Sequence, residues 1–209
     1  MMKNTARQIR EIYGNIDIYL FDQLMKGTYA DCNTILDAGC GSGRNLEFFL
    51  RQGCDVYGID KSAEAINAVQ QLASNFCSEP LHEHFMVADV ESLPFANESF
   101  DLVISSAVLH FANNLKHFEA MVHSMWRVLN SGGFLFVRLA SDIGIESGIK
   151  SLGDGRYVLP DETERFLVSE EMLLELTNNL GGALYEPIKT TNVQGLRCMT
   201  TWCIQKLNS

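Results

Sequence analysis

The sequence is short of positive charge. Lys and Arg number 16 against 26 Asp and Glu, a formal net charge of −10. An acidic surface repels phosphate backbones, and no Lys/Arg run breaks that pattern, so no nucleic-acid partner is expected. Long apolar runs are missing as well. No window approaches the roughly 18 consecutive apolar residues of a membrane span, so no membrane partner is expected either. The opening stretch "MMKNTARQIREIYGNIDIYLF" has no apolar h-region and does not read as a secretory leader. The six cysteines (Cys32, Cys40, Cys54, Cys77, Cys198 and Cys203) include no C-x-x-C pair. Without an export signal they read as reduced thiols, mostly small core residues, in a cytoplasmic protein. His82, His84, His117 and His123 fall on expected loop or helix surfaces, and none has the spacing of a zinc site; no metal is expected. Internal repeats, low-complexity tracts and linkers are lacking too. A chain of 209 residues without them suits one domain.

What is present is alternation. The strand candidates are "TILDAG" (34–39), "DVYGID" (55–60), "FMVADV" (85–90), "FDLVISSAV" (100–108) and "GFLFVRLA" (133–140). Several are apolar on both faces, as strands covered by helices on each side are. Between the first two, Leu46, Phe49 and Leu50 share a helix face that Gly53 ends with a left-handed cap. Ser62 caps the next helix, which carries Ala65, Ile66, Val69, Leu72 and Ala73. Leu115, Phe118, Val122, Met125 and Leu129 recur at three- and four-residue intervals until Gly132 and Gly133 stop that helix. Repeated β-α units predict an α/β fold with a mostly parallel, doubly wound sheet and right-handed crossovers.

After residue 140 the pattern changes. "GRYVLPDETERFLV" (155–168) reads as an irregular or hairpin segment, and Ser169 caps a helix over 169–182 with two glutamates in its first turn. "LYEPIKTTNV" and "RCMTTWCIQK" read as two strands joined at Gln194-Gly195. Pro187 inside the first of them predicts an edge position.

The segment "ILDAGCGSGRN" (35–45) carries the chemistry. Gly39, Gly41 and Gly43 follow an apolar strand and precede a helix, so backbone amides and a helix N-terminus are offered to a ligand. Asp60 ends the second strand about twenty residues on, where a carboxylate can accept from two ribose hydroxyls. Dinucleotide dehydrogenases share that much. Their G-x-G-x-x-G spacing fails here, because the third position is Arg44 in one register and Leu46 in the other. An NAD-dependent oxidoreductase is therefore the weaker reading.

"LDAGCGSGRN", "VYGIDKS", "VADVESLPFANESFDLVISSAVLHF" and "LNSGGFLFVRLAS" resemble, in order and spacing over residues 34 to 140, the motifs of class I S-adenosylmethionine-dependent methyltransferases (type 11/25-like domain). The resemblance implies a Rossmann-like, doubly wound, seven-stranded sheet closed by an antiparallel C-terminal hairpin. It implies S-adenosylmethionine as cofactor. Gly39, Gly41 and Gly43 would pass under its amino-acid part, with Asp37 near the ammonium and Arg44 reaching the carboxylate. Asp60 would take the ribose hydroxyls, Asp89 the adenine amino group with the Val90 amide near the ring, and Ser106 would line the floor below the methionine portion. It also divides the single domain into an N-terminal helical lid (1–33), a cofactor-binding core (34–140), a cap (141–168) and a C-terminal helix and hairpin (169–209).

Methyl transfer from a sulfonium expels a neutral thioether, so proximity and orientation can supply much of the rate and no acid is required. His110, after the fourth strand in "AVLHF", is the candidate base if the acceptor must lose a proton; packing between Leu109 and Phe111 is the favoured reading of it. The D/N-P-P-Y/F motif of base-methylating relatives is replaced by "SSAVLH", which with the acidic charge points to a small-molecule acceptor. "GCGSGRN" is similar to tellurite- and thiopurine-detoxifying methyltransferases. Tyr13, Ile16, Ile18, Tyr19 and Phe21 in the first segment, and Arg156, Tyr157 and Arg165 in the cap, are expected to shape acceptor specificity. A non-catalytic cofactor-binding protein would share the glycine turn and Asp60 while lacking an open acceptor pocket.

Overall fold

Strand β1 (Thr34–Ala38) sends alternate side chains into two separate cores. Leu36 and Ala38 join one, Ile35 the other, as the two-residue period of a strand requires. The same alternation runs through β4 (Phe100–Ser106), where Leu102 and Ile104 oppose Val103, and through β5 (Leu129–Ser141), where Phe136 opposes Leu135 and Val137. Burial on both faces demands helices on both faces. The computed structural model, which describes residues 2–77 and 81–208, places them so.

Beyond β1 lie β2 (Asp55–Asp60) and β3 (Phe85–Val87); on its other side lie β4 and β5, all parallel. The chain thus winds outward to β3 and then returns to the far side of β1. That makes the β1/β4 boundary the switch point at which ligands bind in such sheets. β11 (Arg197–Lys206) pairs antiparallel with β5, and its outer edge carries both β9 (Gly182–Leu184) and β10 (Lys189–Val193). The doubly wound sheet with an antiparallel C-terminal hairpin is therefore present, its seven-strand path extended by the short β9. A separate small sheet is built from β6 (Lys150–Gly153), β7 (Arg156–Val158) and β8 (Glu164–Phe166).

The helices follow their sequence signals. α1 (Met2–Tyr13) and α2 (Ile18–Met25) precede the sheet, and the Asp17 side chain caps α2 by accepting from the Tyr19 amide. α3 (Glu47–Gln52) ends at Gly53 with φ 76°, the left-handed cap its sequence predicts. Ser62 caps α4 (Ala63–Ala73), Asn114 caps α5 (Leu115–Val128) and Ser169 caps α6 (Glu170–Asn179), each through its side-chain oxygen. α2, α3 and α4 pack one face of the sheet, α5 and α6 the other.

Local differences from the sequence reading have simple causes. Gly132 and Gly133 do not separate helix from strand, because β5 begins at Leu129 directly after α5. They sit where the β4–β5 register shifts; Gly132 has φ +79°, and a Cβ on Gly133 would come within 2.9 Å of the Asn130 carbonyl oxygen. Pro187 does not lie inside one edge strand but splits it into β9 and β10, since it cannot donate to the ladder. Gln194 and Gly195 both take positive φ, the geometry of a tight hairpin turn.

Candidate functional site

The glycine turn is fastened from behind. The amides of Gly39 and Cys40 both donate to the Ile59 carbonyl at 2.9 Å, tying the end of β1 to the end of β2. All three glycines have positive φ, but their surroundings differ. A Cβ on Gly39 would collide with Val108 Cγ2, and one on Gly43 would lie 2.6 Å from Val69 Cγ2 of α4. Gly41 faces open space, with no neighbouring atom within 4 Å of a Cβ there. Two glycines thus serve close packing, while the middle one leaves the turn uncovered.

Asp60 draws the turn toward β2. Its Oδ2 accepts from the Gly41 amide and its Oδ1 from the Ser62 amide, both at 2.9 Å. An ionised carboxylate has about four lone-pair positions, so two remain for a ligand. Beside it opens a cavity of about 320 Å³ bordered by Gly39, Asp60, Lys61, Val90, Ser106 and Val108, with Phe111, His117 and Met121 closing the apolar end. Asp89 does not border it; its carboxylate pairs with Lys61 at 3.0 Å.

Asp37 lies beneath the turn, 1% exposed, with neither carboxylate oxygen hydrogen-bonded among the described residues. Burial pushes its pKa up to about 7, opposed chiefly by the nearby Arg44 charge. Arg44 itself is turned to Asp17: its Nη2 lies 3.4 Å from Asp17 Oδ2 and 3.2 Å from Ser106 Oγ. Asp17, whose side chain is fully buried, also accepts from Ser106 Oγ at 3.1 Å and from Arg138 Nη1 at 3.0 Å. One carboxylate from the N-terminal segment therefore joins the glycine turn, β4 and β5.

His110 lies elsewhere. It borders a second cavity, of about 290 Å³, with Arg138, Asp161, Arg165, Thr191 and Arg197. Burial pushes its pKa down to about 4, with the Arg165 charge adding to the shift, so the ring is neutral at pH 7. Ala107, a non-glycine residue at φ +65°, borders both cavities. Positive φ at alanine is strained, and here it sits between two empty spaces at the carboxyl end of β4.

Of the residues singled out by sequence, Gly39, Asp60, Val90 and Ser106 come together around the first cavity, with Gly41 on the uncovered turn and Asp37 below it. Asp17 lies outside every quoted motif, and Lys61 and Arg138, though inside two of them, have no role in the sequence reading. His117, expected on a surface, is mostly buried at the cavity's apolar end. Its Nδ1 accepts from the Asn113 amide and its Nε2 lies 3.0 Å from Glu91. Among the described residues no group of His, Cys, Asp and Glu gathers as a metal site, all six cysteines are free, and no helix is long and apolar enough to cross a membrane.

Residues 36–137, which hold the glycine turn, Asp60 and β4, match the methyltransferase domain family Methyltransf_11. That region is a class I S-adenosylmethionine-dependent methyltransferase domain. A malonyl-[acyl-carrier protein] O-methyltransferase of Enterobacter lignolyticus is 34% identical over 110 residues, 52% of this chain and 39% of that protein. The mitochondrial ubiquinone biosynthesis O-methyltransferase of Rattus norvegicus is 31% identical over 168 residues, 73% of this chain and 47% of that one. The chain thus spans less than half the length of these curated relatives. Among solved structures, the 1,6-didemethyltoxoflavin-N1-methyltransferase of Burkholderia thailandensis, with its substrate and S-adenosylhomocysteine bound, superposes with TM-score 0.69 at 16% identity. That match covers 98% of this chain and 84% of the other, and at such identity it speaks for the fold. The methyl donor of this methyltransferase class is S-adenosylmethionine.

Proposed function

We propose that the chain transfers a methyl group from S-adenosylmethionine to a small molecule, the donor held in the first cavity and the acceptor in the second. The observation that carries this reading is the shared wall. Two cavities of similar size meet at Ala107, at the carboxyl end of β4 beside the β1/β4 switch point. The residues fit the donor on three counts. Asp37 is a buried carboxylate with no hydrogen bond among the described residues and only the Arg44 charge and the Asn45 side chain to offset its own charge, suited to an ammonium group. Gly41 leaves open space where a ligand must lie against backbone, and Asp60 keeps free lone pairs for ribose hydroxyls.

On this reading Gly39, Gly41 and Gly43 form the turn beneath the amino-acid part, and Arg44, already joined to Asp17 and Ser106, meets its carboxylate. Ser106 forms the floor. Val90 and the Phe111–Met121 wall take the adenine, while Asp89, held by Lys61 at the cavity's border, would meet the exocyclic amine from outside. Residues 34–140 make the donor site, and residues 1–33 cover it through Asp17. Residues 141–168 cap the acceptor site, to which they contribute Leu159, Asp161, Thr163 and Arg165.

When bound, the cofactor supplies an electrophilic methyl whose sulfur leaves as a neutral thioether. The protein's part is to orient the two partners and keep water out. His110 is neutral at pH 7, yet a pKa near 4 makes it a weak base. It shapes the acceptor cavity and does not drive proton removal.

Incubation with methyl-labelled S-adenosylmethionine and a small-molecule library tests the proposal. Labelled product, reduced by Asp60→Ala, is the expected result. S-adenosylhomocysteine binding with no transfer to any acceptor would replace it with the non-catalytic reading.

A further inference from the structure

The second cavity has an electrostatic character that sets it apart from the rest of this acidic protein. Three arginines, Arg138, Arg165 and Arg197, border it, against one carboxylate, Asp161. That carboxylate is engaged: its Oδ1 accepts from the Thr163 amide at 3.1 Å and the Thr163 hydroxyl at 2.6 Å. Arg165 donates to the Glu164 carbonyl at 2.7 Å and lies over the Phe111 ring at 5.1 Å, with no carboxylate in ion-pair range among the described residues. The Arg197 side chain has no carboxylate within ion-pair range among the described residues, although the Thr163 hydroxyl, with the Arg197 and Arg165 charges acting behind it, holds the Asp161 carboxyl below its usual value. Arg138 meets Asp17 through Nη1, while its Nε is buried and unpartnered. The buried Nδ1 of His110 is unpartnered too.

Several cations elsewhere in the chain are paired, whereas Lys116 and Lys150 stand exposed to solvent. Lys26 and Lys189 share Asp22 and Glu186, and Arg156 on the small sheet holds Glu164 at 2.9 Å. Arg197 is exposed and Arg165 half-buried, so water serves their free donors and both are available to a ligand, while the buried Arg138 Nε is the costly unpartnered donor; an oxyanion can meet such guanidinium groups with bidentate hydrogen bonds. The arginines come from β5, β8 and β11, three separate elements converging on one space, which a solvated surface charge does not require.

We infer that the second cavity holds a small organic oxyanion, a carboxylate or phosphate monoester, gripped by Arg165 and Arg197 with Arg138 behind them. The inference rests on that cavity being the acceptor site, and it makes the acceptor an anion. An acyclic or aromatic body would lie along Ala140, Leu159 and Met199, the apolar part of the wall. The proposal names a charge class that neither the fold nor the glycine turn specifies.

Ligand-observed NMR with hexanoate, benzoate and phenyl phosphate, against hexanamide and benzamide, tests it, with and without saturating S-adenosylhomocysteine. At least one anion is expected to bind saturably while the amides do not. Comparing phenyl phosphate with benzoate separates the two oxyanion sources. Arg165→Gln and Arg197→Gln should each weaken that binding about 10- to 100-fold, the scale of a lost charge-assisted hydrogen bond. Lys150→Gln, on the same small sheet but exposed and outside the cavity wall, should leave it unchanged. S-adenosylhomocysteine affinity should not move in any of the three variants, which shows that they are folded. Amides binding as well as acids, no binding by any anion at millimolar concentration, or indifference to both arginine substitutions would each overturn the inference. Failure of S-adenosylhomocysteine to bind, with anion binding intact, would overturn the methyl-transfer reading and leave the anion site standing.

Discussion

Asp37→Asn offers the sharpest probe of the donor site. Burial raises Asp37 from 3.8 to about 7, opposed by Arg44 and the neighbouring Asn45 and deepened by Asp60 and Asp17. One pKa unit corresponds to about 1.36 kcal/mol, so the ionised form stores at most about 4 kcal/mol in the folded state. Between pH 4 and 7 the native state holds a proton that the unfolded state has released. Stability therefore falls as pH rises through that window and levels off above 7. From pH 5 to pH 8 the wild type should lose about 2–3 kcal/mol relative to Asp37→Asn, which has no proton to release. Urea unfolding of both proteins at the two pH values reads the difference directly, since the other titrating groups are common to both. A cationic ligand group beside Asp37 reverses the preference. S-adenosylhomocysteine should bind more tightly as pH rises from about 5 to 7 and reach a plateau above, because binding requires the ionised form. The Asn variant should bind weakly and without that slope. Parallel stability curves for the two proteins, or a flat affinity profile in the wild type, would refute the reasoning.

Asp60→Ala removes the proposed ribose acceptor and frees the Gly41 and Ser62 amides, so S-adenosylhomocysteine affinity should fall by about 1.5–3 kcal/mol in calorimetry; unchanged affinity would remove Asp60 from the site. Asp17→Asn strips the shared charge partner from Arg44 and Arg138, and because both guanidinium groups reach solvent the expected loss is about 2–3 kcal/mol at pH 7. Urea midpoints matching the wild type would show that the N-terminal segment is held by something else. His110→Gln should lower the rate of methyl transfer less than about tenfold and leave the pH–rate profile above pH 6 in place, as suits a ring neutral throughout that range. Loss of an ascending limb, in which the rate rises with pH as the base deprotonates, would restore the general-base role.

The central sheet is legible because its signals are local. β1, β2, β4 and the inner part of β5 are apolar on both faces, and the intervening helices carry their own caps at Gly53, Ser62, Asn114 and Ser169. The small sheet is only half legible. β6 is exposed along its whole length, so no apolar alternation marks it, whereas Tyr157 and Phe166 betray the β7–β8 pair. The donor-site motif can be read because a glycine turn and a strand-end carboxylate are adjacent in sequence or in register. The second cavity cannot be read that way. Arg138 sits in an apolar strand and Arg197 starts a C-terminal one; antiparallel pairing of β11 with β5 brings them to one cavity. Asp17 is hidden for a related reason: locally it is a helix cap, and its three further partners are 27, 89 and 121 residues away.

Titration calorimetry of the protein with S-adenosylhomocysteine, and separately with NADH, bears most directly on the donor site beside Gly41 and Asp60. The structure-based account predicts micromolar binding of S-adenosylhomocysteine, strengthening up to pH 7, and no heat from NADH. Binding of NADH alone, or of neither, would contradict it.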